Sequence, residues 1–96
     1  MSKIDPNKII EMIREIIASK ENRAAKVEQL FKAITLSEPG GISDEGEMVL
    51  LRLADDIDYY EADPDIWQAD SSLLGDSDLE YALQETLDKL RELGYQ

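Results

Sequence analysis

The 96 residues suffice for one domain with one hydrophobic core. With no cysteine and no histidine, the chain has no disulfides, no thiolate chemistry, no usual zinc ligands and not the commonest general acid–base. A net charge of -12 disfavours contact with nucleic acid or anionic membrane and favours basic proteins.

The first predicted helix covers residues 6–19. Asp5-Pro6 reads as an N-cap followed by proline at the first helical position. Ile9, Ile10, Ile13, Ile16 and Ile17 then recur at helical spacing. After the polar turn Ser19-Lys20-Glu21-Asn22, the face Val27, Leu30, Phe31 and Ile34 predicts a second helix over 23–36. The run Ser37-Glu38-Pro39-Gly40-Gly41 is the strongest breaker in the chain.

Ser43 then caps a third predicted helix over 44–60. Asp44, Glu45 and Glu47 fall in its first turn, where the helix dipole favours acids. Asp63-Pro64 opens a loop expected to continue through Gly75. Ser77 with Glu80 reads as a capping box for a fourth helix over 78–93. Leu79, Leu83, Leu87 and Leu90 line that helix, and Gly94 ends it. No alternating β-branched runs and no hairpin signals occur. The expectation is a single all-α domain over 1–96, an antiparallel four-helix bundle. No stretch approaches the roughly 18 apolar residues of a membrane span, and the charged first residues do not read as a secretory signal, so the expected location is cytoplasmic.

The charge is uneven along the chain. Residues 1–36 hold seven bases (Lys3, Lys8, Arg14, Lys20, Arg23, Lys26, Lys32) and five acids. Residues 37–96 hold three bases (Arg52, Lys89, Arg91) and seventeen acids. The densest stretch is LADDIDYYEADPDIWQAD, Leu53 to Asp70, with seven acids, three aromatics and no base.

On a helical wheel, Val49, Leu50, Leu53, Ile57 and Tyr60 form the core face of the third helix. Met48, Leu51, Asp55, Asp58 and Tyr59 fall opposite, and Asp56 lies on the flank. Two readings stand side by side. In one, the run is a solvated acidic face with Tyr60 and Trp67 capping the core. In the other, Asp55, Asp56, Asp58, Glu61, Asp63 and Asp65 form an interface for a basic partner. Tyr59, with Tyr60 or Trp67, then anchors that interface, because rigid amphipathic aromatics concentrate binding energy. Trp67 is expected to be packed and Tyr59 exposed.

Other chemistry fails on spacing. No acid in the run starts a calcium loop: counted from Asp56 or Asp63 the third ligand is Tyr60 or Trp67, and counted from Asp76 the glycine position holds Tyr81. Asp70-Ser71-Ser72-Leu73 approximates the prosthetic-group motif of acyl carrier proteins, but falls too late in the chain. Asp55, Asp56 and Asp58 are adjacent carboxylates with no obvious cleft for glycosidase-type work. No phosphate loop accompanies Gly40-Gly41. The expectation is a non-enzyme with no catalytic residue, no cofactor and no metal.

Three stretches carry a family resemblance. Ile16-Ile17-Ala18-Ser19-Lys20 ends a first helix at a turn. Ala54 to Asp65, ADDIDYYEADPD, places acids at the end of a third helix before a D-P-D turn. Asp76 to Leu87 begins a last helix with acids and leucine. In these the chain resembles the small immunity proteins of bacterial toxins, most of all the colicin D immunity type and those of contact-dependent growth inhibition. Trp67 is a departure, since related sequences often carry arginine soon after that turn.

The resemblance implies an antitoxin that binds the toxic domain of a cognate partner one to one. In the colicin D type that domain is a ribonuclease that cleaves tRNA, with a basic catalytic cleft. Acids of the immunity protein sit there where phosphates otherwise sit. The same charges also suit an acidic adaptor, or a nucleic-acid mimic for a host basic protein. A third reading, a plain helical domain, makes Met48 and Leu51 an oligomer contact. The expected partner is a basic nuclease domain. Neither nucleic acid nor membrane is bound directly, and the free chain is a monomer or weak dimer.

Overall fold

The computed structural model describes residues 3–38 and 40–95. Among them the chain is all-helical, with five helices: α1 (Pro6–Ala18), α2 (Arg23–Thr35), α3 (Asp44–Ile57), α4 (Pro64–Ala69) and α5 (Asp76–Glu92). Pro39 of the predicted breaker lies outside the described residues. Its neighbours Gly40 and Gly41 both take positive φ. A Cβ on Gly41 would overlap the Ile4 carbonyl oxygen, so only glycine lets the two backbones meet there.

Each long helix buries one stripe. The core holds Ile9, Ile10, Ile13 and Ile16 of α1, and Val27, Leu30 and Ile34 of α2. It also holds Leu50, Leu53, Ala54 and Ile57 of α3, and Leu79, Leu83 and Leu90 of α5. α1 packs on α2, α2 on α3, α3 on α5, and α5 returns to α1. Four residues expected on the core faces, Ile17, Phe31, Val49 and Leu87, are only half-buried against the core, and Thr86 is buried on α5. The α5 stripe therefore runs 79, 83, 86, 90, which tracks the 3.6-residue turn more closely than four leucines do.

The predicted capping of α1 and α3 is present. The Asp5 carboxylate accepts from the Asn7 and Lys8 amides at 3.1 and 3.3 Å, and the Ser43 hydroxyl accepts from the Gly46 amide at 3.2 Å. The second half of the chain departs from expectation in three places. α3 ends at Ile57, not Tyr60. Beyond Asp58 the Tyr59 and Tyr60 amides bond three residues back, to Asp56 and Ile57. The Glu61 amide then leaves the helix to donate to the Leu74 carbonyl at 3.0 Å, while the Leu74 amide donates to the Tyr59 carbonyl at 2.8 Å.

The segment expected to be a loop after Asp63 contains α4. It opens with the same Asp-Pro signature as α1: Asp63 caps it, accepting from the Asp65 amide at 3.0 Å, and Pro64 stands in its first turn. Finally, α5 begins at Asp76, so the Ser77–Glu80 capping box does not form. Its N-cap is Gly75, which lies against the Trp67 ring. A Cβ there would come within 2.7 Å of the indole. No helix among the described residues is long and apolar enough to cross a membrane.

Candidate acidic interface

The acidic stretch divides at the end of α3. Asp55 and Asp56 lie in the last turn of α3 and Asp58 is its C-cap; all three are exposed. That turn contains no basic residue. Carbonyl groups point outward at a helix C-terminus and carry partial negative charge, so each carboxylate there is opposed by about 0.3–1 kcal/mol. The ion pairs among the described residues are Arg23–Asp76, Arg23–Glu80, Lys32–Glu28 and Lys89–Glu85. None involves an acid between Asp55 and Asp70.

Past α3 the acids take structural work. Glu61 is half-buried and accepts from the Asp63 amide at 3.1 Å. Asp63 caps α4, and Asp65 follows in its first turn, where the dipole favours it. Asp70 accepts from the hydroxyl of Ser72 and from its amide, which in that order hold its carboxyl below the usual range.

The three aromatics also divide. Tyr59 is 54% exposed, continuing the outer face of α3 that carries Met48 and Leu51, themselves 67% and 44% exposed. Trp67 is half-buried against Gly75. Tyr60 is half-buried, and its hydroxyl donates to Asp76 Oδ1 at 2.8 Å. Burial first, then the Asp76 carboxylate, push the Tyr60 phenol up to about 12.

Asp76 belongs to a polar cluster centred on Arg23, which is 3% exposed. Arg23 Nη1 donates to Asp76 Oδ1 at 3.1 Å, and Nη2 donates to the Ile16 carbonyl at 2.7 Å. Glu80 stands 3.5 Å from Nη2. The Tyr60 hydroxyl first, then Arg23, hold the Asp76 carboxyl below its usual range against the opposing effect of burial. This cluster ties the end of α1, the start of α2, the turn after α3 and the start of α5. With the Tyr60–Leu74 bridge, it closes both ends of the excursion that carries α4.

Of the nine predicted interface residues, Asp55, Asp56, Asp58 and Tyr59 share the exposed end of α3. Asp63 and Asp65 lie at the start of α4. Tyr60, Glu61 and Trp67 are engaged in holding the excursion. Sequence reasoning missed Arg23 and Asp76, although Arg23 stands at the same spacing as Val27, Leu30 and Ile34 and so falls on the buried stripe of α2. It also missed Ile66, which is 48% exposed on α4. Among the described residues no group of acids converges in a way that would hold a metal ion. The chain matches no family model, no curated protein and no solved structure.

Proposed function

We propose that the chain is a cytoplasmic immunity protein that binds a cognate basic nuclease toxin one to one and blocks its active site. The observation that carries this reading is the end of α3. Asp55, Asp56 and Asp58 are exposed, unpaired among the described residues and opposed by the helix dipole, and they stand beside an exposed tyrosine. Arg52, one turn before Asp56, lines a recess with it but forms no ion pair with it, so folding gains little from three carboxylates there, whereas a cationic partner converts the same charges into attraction. Tyr59 supplies the apolar anchor and the acids supply the steering.

In this reading the four long helices form an antiparallel bundle, and the α4 excursion is a second binding element beside α3. The carboxylates occupy the places of nucleic-acid phosphates in a cleft built for RNA, with tRNA as the toxin's substrate. The protein itself performs no catalysis.

Capture from lysate of the organism that carries the chain tests this. A tagged chain, washed at moderate salt, is expected to retain a single basic protein ending in a small nuclease domain, in equal amount. The same chain is expected to abolish RNA cleavage by that domain, with an association rate that falls as salt is raised. A spread of basic nucleic-acid-binding proteins would point instead to general mimicry of nucleic acid. A chain that retains nothing would leave the acids as a solvated face.

A further inference from the structure

A recess of about 210 Å³ opens between α2 and the end of α3. Buried Val27 and Ile57 form its floor, and half-buried Phe31 and Tyr60 form its walls. Glu28 of α2 and Asp58, the C-cap of α3, both exposed, bring two carboxylates to it. The Tyr60 hydroxyl is committed to Asp76, so the recess meets the ring.

The size and the lining select an occupant. Sites for drug-sized molecules span roughly 300–1,000 Å³, so this recess takes one side chain. Its apolar walls suit a methylene stem, and its carboxylates suit a cation at the end of that stem. A neutral apolar group would strip water from Glu28 and Asp58 without replacing it. An acidic group would be repelled. The two aromatic rings favour a guanidinium, which is planar, weakly hydrated and attracted to ring faces. Lys32 already pairs with Glu28 at 3.2 Å, but that pair is exposed on both sides and yields readily to a competing cation.

We propose that this recess seats an arginine side chain projected by the protein partner. The proposal rests on the reading above that the partner is a basic protein, and it adds a fixed point of recognition to diffuse charge attraction.

The full chain titrated with N-acetyl-arginine amide, followed by amide and side-chain NMR shifts, tests it. The expected result is saturable, weak binding with shifts gathered at Ala24, Phe31 and Asp58. N-acetyl-citrulline amide, the neutral isostere, is expected to bind about tenfold more weakly. Ala24 is exposed on α2 at the recess, so Ala24→Phe fills the space. It is expected to abolish the shifts without lowering the melting temperature. Asp58→Asn, which leaves the recess open, is expected to weaken binding severalfold.

Equal binding of citrulline amide, no effect of Ala24→Phe, or shifts scattered over all exposed acids would overturn the proposal. The two readings fail separately. A chain that captures one nuclease but ignores arginine amide loses the recess and keeps the function. A chain that captures no basic protein loses the function whatever the recess binds.

Discussion

Asp63 and Asp76 begin helices, while Asp55, Asp56 and Asp58 end one. The residue type is the same and the electrostatic consequence is opposite. Asp63 accepts an amide hydrogen bond and caps α4, and Asp76 accepts from Tyr60 and Arg23 at the start of α5. Both stand where the dipole welcomes negative charge. The α3 acids stand at the carbonyl end of their helix, with no cation in its last turn and Arg52 one turn back. Acidity in this chain is therefore of two kinds, one that builds the fold and one that burdens it. Only the second is left free for the proposed partner.

The contrast is broken most forcefully at Arg23. Removing a buried guanidinium that holds a carboxylate and a carbonyl costs about 3 kcal/mol, so Arg23→Ala is expected to lower the urea midpoint sharply. An unchanged midpoint would mean that the cluster contributes nothing to the fold.

Tyr60→Phe is the next largest, about 1 kcal/mol for the lost hydrogen bond. It also has a pH signature. The Tyr60 phenol is raised in the folded state, so folding holds its proton more tightly than the unfolded chain does. The stability this supplies is complete below about pH 10 and is lost as pH rises towards about 12. The phenylalanine variant is expected to lack that loss relative to the parent. Asp76 works in the other direction. Its folded value is depressed, so its contribution is present above the ordinary carboxylate range and disappears as pH falls through the lower folded value.

Asp63→Ala removes the α4 cap, at a cost of roughly 0.5–1 kcal/mol that falls on six residues with none buried. Hydrogen exchange at the α4 amides is expected to speed up while α1 and α5 amides keep their protection. Equal acceleration everywhere would make α4 part of the global folding unit.

Much of this was legible in the sequence. The four long helices announced themselves by isoleucine and leucine spacing, and the capping of α1 and α3 by Asp5-Pro6 and Ser43. The exposed end of α3 followed from the wheel alone, because a helix buries only one stripe. What escaped was set by contacts distant in sequence. α3 stops early because Glu61 pairs with Leu74. α5 starts early because Asp76 is drawn to Arg23 and Tyr60, and Gly75 must pass close beneath Trp67. α4 is shorter than two turns, too short to show a period, although its Asp-Pro opening repeats that of α1. Trp67, expected to be packed, is half-buried against Gly75, and Tyr59 is exposed as expected.

The last variant is expected to gain stability where the others lose it. Asp55, Asp56 and Asp58 replaced together by asparagine removes three charges that oppose the dipole and leaves the shapes alone. Denaturant unfolding and capture of the proposed basic partner are to be measured on that same variant. Stability is expected to rise by a few tenths of a kcal/mol per site while one-to-one capture at moderate salt is lost. A variant that is less stable than the parent, or that still retains the partner undiminished, would contradict it.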